Sequence, residues 1–126
     1  MYRFSQRSEN NLKGVHPDLV KLVRATLAAS PLDFGITEGL RTKEQQEKNV
    51  AAGKSQTMNS RHLTGHAIDF VVYIGKDVNW DFPNFKTVSD VFKAKATELG
   101  IPIVWGGDWT TLKDGPHIEL DRKTYP

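Results

Sequence analysis

Apolar residues recur at helical spacing in two stretches of the chain. Leu19, Leu22, Val23 and Leu27, with Thr26 on the same stripe, predict an amphipathic helix over 17–29. Pro17 suits its first position, where the missing N–H would have no intrahelical partner, and Ser30-Pro31 ends it. Val88, Val91, Phe92, Lys95 or Ala96, and Leu99 form the second stripe, closed by Gly100. A third, more polar helix, KEQQEKNVAA, is marked by its punctuation: Thr42 as N-cap, Gln45 three residues on to complete a capping box, and Gly53 as terminator.

Between these lie short runs with strand character. FGITE (34–38), the branched and aromatic AIDFVVY (67–73), Ile101–Trp105 and HIEL (117–120) read as strands. Residues 1–15, 53–60 and 74–84 read as irregular. Helices come first and strands mostly later, so the expected class is α+β, a small antiparallel sheet with helices packed on it. The 126 residues suffice for one domain with one core.

Composition narrows the chemistry. Cysteine is absent, which removes disulfides, thiolate metal sites and cysteine nucleophiles together. A metal site must then use carboxylates and a few of the four histidines, His16, His62, His66 and His117. The net charge of +2, with no Lys/Arg-rich run, gives no reason to expect nucleic acid as a partner. No apolar stretch approaches the roughly 20 residues of a bilayer span, so no stable membrane association is expected. The N-terminal stretch lacks the apolar core of a secretory signal, which predicts synthesis in the cytoplasm.

Two segments carry candidate chemistry. In SRHLTGHAIDF (60–70), His62 and His66 have the spacing of a helical zinc motif, but Leu63 stands where that motif needs Glu, and Gly65 interrupts the turn. The better partner for His62 is Asp69. A carboxylate between Ile68 and Phe70 either faces solvent through strand alternation or is paired or metal-bound. In DGPHIEL (114–120), His117 offers a third ligand and Asp114 a carboxylate able to move a proton; the plainer reading is a turn aspartate and an edge-strand histidine. Two imidazoles and one carboxylate would leave residual positive charge on a bound cation, enough to bring the pKa of a bound water near ~7. Arg41 lies between a strand and a helix start, where its guanidinium could steady an oxyanion or simply face solvent, and Gln46 has the same status. Trp105 and Trp109 flank two glycines and either line a cleft or pack in the core.

Taken together, these segments resemble a known family. The pattern S-x-H-x-x-G-x-A-x-D is matched by Ser60, His62, Gly65, Ala67 and Asp69. D-x-x-H is matched by Asp114 and His117, and G-x-R-[ST]-x-x-x-Q by Gly39, Arg41, Thr42 and Gln46. This resembles the D-alanyl-D-alanine/L-alanyl-D-glutamate metallopeptidases, whose fold is shared with the hedgehog N-terminal domain. The strings RSENNLKGVHPDLVKLV and MNSRHLTGHAIDF are similar to the bacteriophage endolysin branch, the L-alanyl-D-glutamate endopeptidases.

The resemblance implies one zinc ion held by His62, Asp69 and His117, Asp114 as general base and acid, and Arg41 on the carbonyl oxygen. Gln46 and Ser60 are implied in substrate binding. Glu119 would orient His117 or touch substrate, while His66 falls on a variable position and takes no ligand role. The implied substrate is the stem peptide of bacterial peptidoglycan, cut between L-Ala and D-Glu, with Arg61 and Lys113 as candidate contacts to its carboxylates. The implied setting is a monomer made in the host cytoplasm and released to the wall by a holin. The alternatives are a D,D-dipeptidase or carboxypeptidase acting on D-Ala-D-Ala, and a non-catalytic zinc-stabilised binding module.

Overall fold

The computed structural model describes residues 2–53, 60–110 and 113–126. Among these residues four α-helices, α1 (Gln6–Asn11), α2 (Pro17–Ala29), α3 (Lys43–Ala51) and α4 (Phe82–Leu99), accompany five strands. The strands are β1 (Asp33–Glu38), β2 (Ala67–Ile74), β3 (Asp77–Asn79), β4 (Ile103–Trp105) and β5 (His117–Leu120). The sheet runs β1-β2-β5-β4, all antiparallel, with β3 pairing the far end of β2. This is the α+β arrangement expected.

The sheet separates two tasks by strand alternation. Ile68, Phe70 and Val72 of β2, with Ile118 and Leu120 of β5, belong to the core beneath α2 and α4. There Phe34, Phe70 and Phe92 meet with ring centroids 5.4–5.8 Å apart, in edge and tilted geometries that suit aromatic quadrupoles. Asp69, His117 and Glu119 fall on the alternate positions of the same two strands.

The structure departs from the pattern-based expectation where polar chemistry rather than apolar periodicity fixes the chain. Helix α1 replaces an expected irregular segment. Ser5 caps it by accepting from the Ser8 N–H at 3.2 Å, and it docks on edge strand β1 through hydrogen bonds rather than an apolar stripe. Ser8 Oγ accepts from the Ile36 N–H (3.0 Å), and Asn11 Nδ2 donates to the Ile36 carbonyl (2.8 Å). These contacts satisfy backbone groups that a sheet edge would leave open.

Helix α4 starts at Phe82 inside the expected loop, because Pro83 is tolerated in a first turn. Strand β3 also lies in that loop. Strand β4 begins at Ile103 instead of Ile101, beyond Pro102, which has no N–H for a ladder. Thr42 caps α3 as expected, but Gln45 bonds forward to Asn49 (2.9 Å) instead of closing the capping box. Most of the loop expected at 53–60 lies outside the described residues.

Candidate metal centre

Strand register brings two distant segments together. Asp69 of β2 pairs directly with His117 of β5, their neighbours being Ile68 with Ile118 and Ala67 with Glu119. His62 arrives from a short 3-10 turn, Arg61–Thr64, that precedes β2; Ser60 caps it by accepting from the His62 N–H at 3.3 Å. Gly65 ends the turn at φ +73°, and a Cβ there would lie 2.5 Å from the Gly14 carbonyl oxygen. The motif's glycine is therefore required by both backbone sign and space.

One donor atom each from His62, Asp69 and His117 lies within 4.8 Å of the others, an arrangement that could hold a metal ion. Asp69 Oδ1 is 3.2 Å from His62 Nε2 and 3.3 Å from His117 Nδ1. Its side chain keeps 22% exposure, so it is neither solvated on a free face nor sealed in the core. Each imidazole is oriented from behind. His62 Nδ1 lies 2.8 Å from the Gly39 carbonyl and donates to it, so Nε2 is the nitrogen turned to Asp69 and the one a cation would take. His117 Nε2 lies 2.8 Å from Glu119 Oε1, which likewise frees Nδ1. Gly39 is confined by Asn11, whose carbonyl oxygen would sit 2.0 Å from a Cβ at this position.

The charges agree with this reading. Burial would raise the Asp69 pKa, but its hydrogen bonds to His117 and His62 outweigh burial and hold the carboxyl well below its usual range. Burial would lower the His117 pKa, yet Asp69 and Glu119 raise it to about 9. The cluster is thus short of positive charge, a demand that a divalent cation would meet while displacing the imidazolium proton.

Asp114 stands at the entry to β5. Its N–H donates to the Gly106 carbonyl (3.0 Å), and its own carbonyl accepts from the His117 N–H (3.1 Å). Burial, then the charge of Asp69, raises its pKa above the ordinary aspartate value, the direction that suits a group required to take and return a proton.

Arg41 reaches the site from the segment after β1. Its Nε and Nη2 donate to the two carboxylate oxygens of Glu38 at 2.5 and 2.7 Å, and Nη1 donates to Gln46 Oε1. Ser60 Oγ lies 3.5 Å from Nη1. Gln46 is fully buried, so its placement suits holding Arg41 rather than meeting a substrate directly. Sequence reasoning missed Glu38, for which the three-residue spacing to Arg41 was the available signal.

Other candidates separate from the site. The chain reverses at Gly65, and His66 lies apart from the cluster, with Nδ1 2.6 Å from Thr64 Oγ1 and its ring 5.5 Å from that of His16. Arg61 corrects an expectation: it is 8% exposed and donates to the Leu120 and Tyr125 carbonyls, with Nε 4.0 Å from Glu119 Oε2. A guanidinium so placed braces the C-terminal strand instead of meeting substrate. Trp105 is buried and donates to the Gly115 carbonyl (2.8 Å), whereas the Trp109 ring lies 5.2 Å from that of His117.

Comparison with known proteins agrees with this architecture. The sequence profile of the family described as phage L-alanyl-D-glutamate peptidase matches residues 1–126. The L-alanyl-D-glutamate peptidase of Escherichia phage T5 is 40% identical over 128 residues, covering 98% of this chain and 93% of that protein. The peptidoglycan L-alanyl-D-glutamate endopeptidase CwlK of Bacillus subtilis (strain 168) is 31% identical over 112 residues, covering 78% and 66% respectively. The crystal structure of the L-Ala D-Glu endopeptidase ChiX from Serratia marcescens superimposes with a TM-score of 0.94 at 47% identity, covering 99% of this chain and 94% of that one. With its whole length matched and its fold shared, the chain belongs to the phage L-alanyl-D-glutamate peptidase family.

Proposed function

We propose that residues 1–126 act as a single zinc peptidase domain that hydrolyses the L-Ala–D-Glu bond of the peptidoglycan stem peptide, serving as an endolysin. The observation that carries the reading is the spacing of His62 Nε2, Asp69 Oδ1 and His117 Nδ1, with Asp114 beside them. A tetrahedron built on zinc–ligand bonds of ~2.0–2.1 Å has edges of about 3.3–3.4 Å. Asp69 Oδ1 lies 3.2 and 3.3 Å from the two nitrogens, so the donor identities suit that ion and both separations that involve Asp69 match it. Zinc held by His62, Asp69 and His117 would supply Lewis acidity and would make water a competent nucleophile near neutral pH.

The chain's own groups do the rest. Asp114 takes the proton of the attacking water. As the carbonyl carbon gains the hydroxyl, the Arg41 guanidinium stabilises charge on the carbonyl oxygen. Glu38 and Gln46 fix the guanidinium plane, so this stabilisation needs little reorganisation. Asp114 then delivers its proton to the departing nitrogen, without which an amine is a poor leaving group. Ser60 shapes the turn that presents His62 and lies beside Arg41 at the substrate side. Lys113, exposed next to Asp114, offers an ammonium to polar groups of the substrate.

The domain works as a monomer on wall peptide, without nucleic acid. Among the described residues no helix is long and apolar enough to cross a membrane. Expression in the host cytoplasm and passage to the wall through a holin-type lesion complete the proposed setting.

Mass spectrometry of muropeptides after digestion of purified peptidoglycan tests the reading. Stem peptides beginning at D-Glu, lost on chelation and restored by zinc, are expected. Release of D-Ala or its dipeptide would assign the D,D-specificity instead, and metal binding without any cleavage would leave only a binding module.

A further inference from the structure

A run of aromatic surface leads away from the Asp114 segment. Lys113 Nζ lies 5.7 Å from the centroid of the Phe82 ring. Phe82 packs at 5.5 Å on Trp105, which donates to the Gly115 carbonyl. Trp80 lies 6.1 Å from Phe85, and the Phe85 ring is what a Cβ at Gly115 would meet. Phe85 and Trp105 are buried, but Trp80 is 66% and Phe82 40% exposed.

The exposed rings are held in place. Asn79 Oδ1 accepts from the Asp81 N–H (2.9 Å) and from Asn84 Nδ2 (2.8 Å), pinning the backbone on both sides of Trp80. Scattered exposed apolar residues need no explanation, but two exposed aromatic residues on a pinned backbone, Phe82 already bearing an ammonium, beside a candidate catalytic loop do. The open indole face of Trp80 matches the apolar C–H face of a saccharide, and the Lys113 ammonium over Phe82 can donate to acceptors at its edge.

The chemistry of the wall says which saccharide. In peptidoglycan the L-Ala nitrogen is acylated by the lactyl group of N-acetylmuramic acid. One residue and one lactyl unit separate the L-Ala–D-Glu bond from the sugar ring, about 7 Å when extended. A surface bordering the cleavage site therefore borders the glycan.

We propose that Trp80 and Phe82, with Lys113, form a platform for the N-acetylated sugar that carries the stem peptide. This rests on the peptidoglycan reading and deepens it. The platform favours stem peptides still attached to glycan over free peptides.

The test compares kcat/KM on a muramoyl-L-alanyl-D-glutamyl peptide with that on the acetyl-L-alanyl-D-glutamyl peptide lacking sugar, for the wild type, Trp80→Ala and Trp80→Phe. The wild type should prefer the sugar-bearing substrate. Trp80→Ala should shrink that preference about fivefold through KM, the scale of one lost aromatic contact, and Trp80→Phe should restore most of it. A preference unchanged in Trp80→Ala overturns the platform while the peptidase stands. A Trp80→Ala change in oligomeric state by size-exclusion chromatography, with the preference intact, would give the surface to a second copy of the chain instead. If the wild type cleaves neither substrate, the peptidase reading itself falls, and the platform with it.

Discussion

Glu119 gives the most discriminating test of how the centre is built. Its carboxylate accepts from His117 Nε2 at 2.8 Å with only 12% of the side chain exposed, so it fixes which nitrogen of His117 faces Asp69. A buried hydrogen bond to a charged group contributes about 1.5–3 kcal/mol. Most of that is lost when the ring is no longer held, which translates to roughly a ten- to hundredfold weaker zinc Kd in Glu119→Ala. Glu119→Gln keeps an acceptor but loses the charge and should fall in the lower part of that range.

Arg61 complicates the change, because Glu119 lies 4.0 Å away and, among the described residues, Arg61 Nε has no hydrogen-bond partner. Both variants should therefore also melt at a lower temperature in chelator, where zinc makes no contribution. Competition titration against a chromophoric chelator gives the affinity, and thermal melts in chelator give the separate stability effect. Zinc affinity equal to wild type in Glu119→Ala would refute the claim that Glu119 orients the imidazole.

Asp114→Asn should retain one zinc by metal analysis while wall-lysis activity falls about 10²–10⁴-fold, the usual contribution of a general acid–base group. His62→Ala should lose tight zinc binding in the same assay. Chelation of the wild type should lower its melting temperature by an amount that depends on free zinc, yet leave a cooperative transition by calorimetry. Phe92→Ala, which removes a fully buried ring touching Phe34 and Phe70, should cost about 3–5 kcal/mol in denaturant unfolding while leaving the zinc affinity of the folded protein unchanged.

The parts of the molecule legible in the sequence are those governed by local periodicity or a compact motif. The α2 stripe and the β2 run were readable because burial imposes a repeat on them. The pairing of His62 with Asp69 was readable because seven residues span a turn and a strand entry. Helix α1 was not, since its contacts to Ile36 come from Ser8 and Asn11, polar residues with no repeat to betray them. The burial of Arg61 was hidden for another reason: it depends on the carbonyls of Leu120 and Tyr125 coming alongside it, which tertiary pairing sets rather than spacing. Glu38 lies three residues from Arg41, a spacing that shows the pair could meet but not that the end of β1 turns both side chains to one side.

The same pairing explains how a small domain can carry a demanding site. Register, fixed by the apolar positions of β2 and β5, decides that Asp69 meets His117: a slip of one residue would bury Asp69 against Phe34 and Phe92 and turn Ile68 and Phe70 toward the two histidines. The core and the candidate metal site therefore use alternate residues of the same two strands. Packing on one face sets the spacing of the donor groups on the other, so these groups need little stability of their own to stay in place. That leaves the polar face free to concentrate charge, with two carboxylates and two imidazoles in mutual contact, a combination that would be unfavourable in a core with no cation to balance it.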